Sequence, residues 1–136
     1  MEKFDLSRPF LAIREDEEGS DYEPTMGEYL CNPLDEDLLD AEVSLGGFYS
    51  IEELGVIESN ESKRRLFVVP AGKAVPFALS TWDEYCEMVC HWSIRYRTAT
   101  SGNVVLGFGS SKRLADCVVF EDVPILGGRA RVVPRS

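Results

Sequence analysis

The sequence predicts a mainly β protein, an antiparallel β-sandwich or jelly-roll-like domain with one principal amphipathic helix over about 82–91. Three observations carry that expectation. Short apolar runs separated by turn residues recur along the chain, as in Leu66–Val69, Val104–Phe108 and Cys117–Phe120. Trp92, Ile94 and Tyr96 alternate with Ser93, Arg95 and Arg97, the period of a half-buried strand with a basic outer face. Trp82, Tyr85, Cys86 and Val89 instead fall at helical spacing. At 136 residues, 44% of them apolar and 28% charged, the chain fits a single domain, 1–136, with a real core.

Pro9 to Ile13 is an apolar cluster short enough for an edge strand. The acidic stretch that follows, Glu15 to Glu23, has little to bury, so residues 15–24 read as a mobile acidic loop or arm. Its carboxylates miss the EF-hand spacing, because a glycine in the sixth position would put Arg14 at the first ligand. Asn32 as a cap, Pro33 in the first turn and Asp35, Glu36 and Asp37 at the positive end of the dipole predict a short helix over 33–43. Gly46-Gly47 stops it. Ser50 with Glu53 is a capping box, predicting a second short helix near 51–54.

Leu66 to Val69 reads as a strand ending at Pro70, and Gly72 marks the turn after it. Ala74 to Leu79 contains Pro76 and therefore suits a sheet edge. Thr81 and Glu84 form a capping box for the principal helix, with Asp83, Glu84 and Glu87 opposite its apolar stripe. After the strand at Trp92–Arg97, Thr98 to Asn103 is turn chemistry, and Val104 to Phe108 is its partner strand. Cys117–Phe120 and Val123–Leu126 are short strands, and Gly127-Gly128 is a two-residue hairpin turn into Arg129–Val133.

The stretch from residue 76 to 108 resembles the shell domain of coat proteins from small icosahedral plant RNA viruses of the tombusvirus type. The matching residues are Pro76-Phe77, Trp82 and Tyr85, Trp92 to Tyr96, Thr100-Ser101-Gly102 and Val104 to Phe108. The resemblance implies a jelly roll whose role is to pack against copies of itself. In that family the N-terminal arm is basic and neutralises packaged RNA. Here it is acidic, which argues against genome contact.

Charge is segregated along the chain. Residues 1–62 hold 18 acidic and 3 basic side chains, net −15, whereas residues 63–136 hold 6 and 11, net +5. The two halves can attract each other within one molecule, copies can stack acidic end on basic face, or the acidic half can face a basic partner; solvated surface with a disordered acidic segment is the plain alternative. The candidate partner-binding residues are Glu15, Asp16, Glu17, Glu18, Asp21 and Glu23 on the acidic side, and Arg95, Arg97, Arg129 and Arg131 on the basic side. With Lys112 and Arg113 these arginines would gather on one sheet face.

Catalytic chemistry finds little support. Cys86, Cys90 and the sole histidine, His91, would place two thiols on one helix face, and Cys31 or Cys117 could complete a zinc site. Cysteine is also a common buried residue, and the expectation is core cysteines with no metal and no cofactor. His91 at a helix C-terminus reads as a dipole partner rather than as a base. Gly107 to Lys112 lacks the Walker spacing and reads as a strand end and loop. The N-terminal residues contain no apolar run long enough for a signal peptide, and no later run could span a bilayer. The expectation is a cytoplasmic, or virion, protein with reduced cysteines and no catalytic residue. Its function is structural or assembly work through protein–protein contacts, by self-association or with a basic protein, and nucleic acid and membrane are not expected partners. The alternative is a small acidic inhibitor or immunity-type protein that blocks a basic toxin or nuclease.

Overall fold

The computed structural model describes residues 4–15, 25–51, 56–82, 86, 88–110 and 112–136. Its strands are β1 (Phe10–Glu15), β2 (Thr25–Cys31), β3 (Leu38–Ile51), β4 (Val56–Val69), β5 (Ala74–Thr81), β6 (Met88–Arg97), β7 (Val104–Gly109), β8 (Val119–Val123) and β9 (Gly128–Val132). They form two antiparallel sheets in a sandwich-like arrangement, in the orders β5-β2-β1-β9-β8 and β4-β3-β6-β7. One buried apolar cluster draws on both sheets, including Leu11, Ile13 and Leu30 from the first and Val43, Trp92 and Ile94 from the second. Each such large side chain contributes about 1.5–3 kcal/mol by leaving water.

β1 is central rather than at an edge. It pairs with β2 from Phe10↔Cys31 to Glu15↔Met26, and with β9 at Ala12↔Val132. Phe10, Leu11, Ala12 and Ile13 are all buried, so both faces of the strand are covered. A continuous apolar run is the mark of a strand buried on both sides, and that feature outweighs its shortness. Pro76 sits where a proline is tolerated, on the edge strand β5 opposite Tyr29, next to a register shift that leaves Phe77 of β5 without a partner in β2.

The helices expected over 33–43 and 82–91 are corrected. Residues 33–37 are irregular, and the helix expected over 33–43 is replaced from Leu38 onward by β3. The capping signal at Asn32 serves a turn instead. Its side-chain oxygen accepts the Leu34 N–H at 3.0 Å, and its amide donates to the carbonyls of Glu36 at 2.8 Å and Val69 at 3.0 Å. A buried asparagine satisfied in this way ties the approach of β3 to the end of β4. Gly46 and Gly47 do not stop an element; they lie inside β3, opposite His91 and Cys90. Of the helix expected near 51–54, Ile51 is the last residue of β3 and the rest lies outside the described residues.

The principal helix over 82–91 is not formed as expected. Strand β6 begins at Met88, so Val89, Cys90 and His91 belong to a ladder with β3 (Phe48↔Val89, Gly46↔His91), and residues 83–85 and 87 lie outside the described residues. A long partner strand offers those residues backbone pairing that the local helical signal cannot match. The rest of β6 follows its alternation. Trp92, Ile94 and Tyr96 are buried, Arg95 and Arg97 are exposed, and β7 pairs through Trp92↔Phe108, Ile94↔Leu106 and Tyr96↔Val104.

At the C-terminal end Leu114–Cys117 is a one-turn helix and the strand starts at Val119. The β8–β9 connection is longer than a two-residue turn. A 3₁₀ turn over Pro124–Leu126 and Gly127, at φ +75°, carry the chain to Gly128, which pairs with Val123. Residues 134–136 then run along the outside of β7. The Gly109 N–H donates to the Pro134 carbonyl at 2.8 Å, the Ser136 N–H donates to the Gly107 carbonyl at 3.1 Å, and Phe108 bridges Arg135. No helix among the described residues is long and apolar enough to cross a membrane.

Candidate interaction surfaces

The outer face of the four-stranded sheet collects charge from both halves of the chain. Strand alternation points Arg95 and Arg97 outward from β6, and the register sets Glu42 of β3 between Arg95 and Arg65 of β4. Arg95 pairs with Glu42 at 3.4 Å and Arg97 with Asp40 at 2.6 Å. The Thr100 hydroxyl donates to the Glu36 carboxylate at 2.8 Å just beyond them. The charge segregation seen in the sequence is thus partly closed within the molecule, acidic β3 against basic β6. Arg97–Asp40 is exposed and Arg95 is largely so against a half-buried Glu42, so each pair contributes at most about 1 kcal/mol.

Backbone irregularity shapes the same face. The β3–β4 register shifts around Ala41, and two residues there have positive φ, Asp40 at +50° and Phe67 at +63°. A phenylalanine in the left-handed region costs about 1–2 kcal/mol and is not a choice the local sequence favours. The residue is 64% exposed. Asp40, Glu42, Arg65, Phe67, Arg95 and Asn103 line a groove of about 280 Å³. A second groove of about 300 Å³ follows on, lined by Ser44, Gly46, Lys63, His91 and Ser93 among others. Among the described residues Lys63 and Arg65 have no ion-pair partner.

The other two arginines singled out in the sequence lie elsewhere. Arg129 and Arg131 are on β9, in the five-stranded sheet, so the basic residues do not share one sheet face. Arg131 stacks over Trp82 at 4.4 Å and over Phe120 at 4.9 Å, and Arg129 covers the same Phe120 ring at 4.8 Å. Such contacts hold arginines against aromatic faces at about 0.5–1 kcal/mol each. Lys112 and Arg113 are exposed ahead of the one-turn helix. Of the acidic candidates, Glu15 ends β1 opposite Met26, while Asp16, Glu17, Glu18, Asp21 and Glu23, with the rest of the expected acidic arm, lie outside the described residues.

No protein-family model matches this sequence, and no curated protein is significantly similar to it. Among solved structures the chain is similar to the E. coli curli protein CsgC, with a TM-score of 0.43 and 5% identity over 73% of this chain and 96% of that one. A likeness at that level says nothing of what this chain does.

The cysteines are dispersed. Cys31 is buried in β2 and burial pushes its thiol up to about 12; Cys117 is half-buried and also raised by burial. Cys90 is buried while the adjacent His91 is exposed, as strand neighbours must be, so the shared helix face expected for Cys86 and Cys90 does not exist. Among the described residues no group of three or more His, Cys, Asp or Glu side chains is gathered as a metal site. Burial also raises the Tyr96 phenol, while at Asp5 the Ser7 hydroxyl and then the Ser7 N–H lower the carboxyl. The sequence reading missed Arg65 and Phe67. The basic run Lys63-Arg64-Arg65 was the available signal for the first, and nothing in the sequence marks the backbone conformation of the second.

Proposed function

We propose that the protein is a non-enzymatic structural or assembly protein that acts through protein–protein contacts on the outer face of its four-stranded sheet. One observation carries the reading: Phe67 is held outward by an unfavourable backbone conformation beside an arginine without an ion-pair partner among the described residues. Strain kept at an exposed aromatic points to a use for that aromatic. An apolar spot rimmed by guanidinium groups suits a partner that brings an apolar residue and carboxylates together. The chain itself, net −10, is such a partner.

A coat-like, jelly-roll form of this role is supported by the resemblance over residues 76–108, and cytoplasm or a virion is the setting it calls for. Light scattering of the eluting protein at rising concentration and salt tests the reading. The expected mass exceeds 15.2 kDa, grows with concentration and falls with added salt. A mass of 15.2 kDa throughout overturns self-assembly. Binding of a basic protein by that monomer, lost on neutralising Glu15 to Glu23, would establish the inhibitor role instead.

A further inference from the structure

The edges of the two sheets differ in a way that selects a partner. The β5 edge carries Pro76, and residues 134–136 cover the Gly107–Gly109 end of the β7 edge. β4 and β8 end their sheets with no neighbour on the outer side among the described residues. An uncovered strand offers a row of unpaired N–H and C=O groups to another chain. On β4, Lys63, Arg64 and Arg65 are exposed and are followed by half-buried Leu66 and by Phe67 and Val68, 64% and 45% exposed. On β8 the order is reversed: Val119 and Phe120, 37% and 46% exposed, precede exposed Glu121 and Asp122. None of these five charged side chains has an ion-pair partner among the described residues.

We propose that the β8 edge of one copy adds antiparallel to the β4 edge of the next, with Arg65 opposite Glu121 and Arg64 opposite Asp122. The inference rests on the self-assembly reading and specifies its interface. In that register Leu66 meets Phe120 and Phe67 meets Val119, so apolar residues face apolar ones while charges face opposite charges. A parallel arrangement sets the basic triplet against Val119 and Phe120 and loses both matches. The bulge that leaves Leu66 without a register partner in β3 and the positive φ of Phe67 end regular pairing there, so the shared ladder covers Lys63 to Arg65, and Leu66 and Phe67 close its end. Backbone pairing supplies affinity and the side-chain order supplies register. Because the two edges belong to different sheets, one copy can use both at once. The contact is therefore head-to-tail and builds rings or filaments rather than a closed two-fold dimer.

Charge swapping tests it. The variants R64E/R65E and E121R/D122R each alter exposed side chains, and far-UV circular dichroism checks that both are folded. Each alone should weaken self-association by at least about tenfold in low salt, since two attractive pairs become repulsive. An equimolar mixture should associate again, because the acidic β4 of the first variant meets the basic β8 of the second; misfolded chains could not give that rescue. The four substitutions combined in one chain should restore association likewise. Association that survives either single reversal, or is not rescued by mixing, overturns this interface and leaves self-assembly standing. A wild-type chain that stays monomeric overturns both.

Discussion

Gly109 closes β7 where three segments meet, and its replacement by alanine puts a number on that closure. The residue has φ +115°, and a Cβ built there would lie 2.2 Å from the Cys90 carbonyl oxygen and 3.2 Å from the Cα of His91. These are backbone atoms of the paired strand β6, so no side-chain rotation relieves the contact. Alanine in that conformation costs about 1–2 kcal/mol. Prising β7 from β6 adds about 1–3 kcal/mol of overpacking, and disturbing the Gly109 N–H bond to Pro134 adds about 1 kcal/mol. The expected loss is about 3–6 kcal/mol, a large part of the about 5–15 kcal/mol that holds a domain folded. Gly107→Ala is the control. Its Cβ would meet only the Ser136 hydroxyl, at 2.5 Å, the end of a side chain that can rotate away, so the cost is about 1 kcal/mol or less. Urea unfolding should move the Gly109→Ala midpoint down by about 2 M at unchanged slope. Equal midpoints for the two variants would refute the reasoning.

Two further outcomes follow from the site. Cys31 is buried with its thiol at about 12 against an ordinary 9.0, so the folded state keeps the proton that the unfolded chain releases. That stability is fully present below pH 9 and is lost at up to about 1.4 kcal/mol per pH unit as pH rises through the folded value; denaturant midpoints in alkaline buffers should fall less steeply for Cys31→Ala than for wild type. Phe67→Gly removes the left-handed penalty from a largely exposed residue, and should raise thermal stability by about 1 kcal/mol while weakening self-association seen by light scattering. Loss of stability in that variant would show the ring to be structural rather than kept for contact.

The sequence made the β6–β7 hairpin legible because Trp92, Ile94 and Tyr96 alternate cleanly and Thr98 to Asn103 has no reading other than a turn. It misled where a local signal had two uses. Asn32 is a good helix cap and an equally good turn former, and its choice is made by the carbonyls of Glu36 and Val69, the second far along the chain. The stripe at Trp82 to Val89 fits a helix in isolation, but Val89 to His91 are claimed by a strand forty residues earlier. The basic residues were visible as residues, yet their division between two sheets follows from strand order, which no local pattern encodes. The bulge at Ala41 and Phe67 left no trace in composition at all.

The pairing of β1 with β9 joins the two ends of the sequence, Ala12 beside Val132. Until β9 is available, the strand carrying Phe10 to Ile13 has one bare side, and closing a loop of that length must precede any gain from it. The hairpins β3–β4, β6–β7 and β8–β9 involve sequence neighbours and can form on their own schedule. The long β1–β9 closure therefore leaves a strand that is buried on both faces in the native fold exposed in any chain that lacks it, and such exposure favours aggregation.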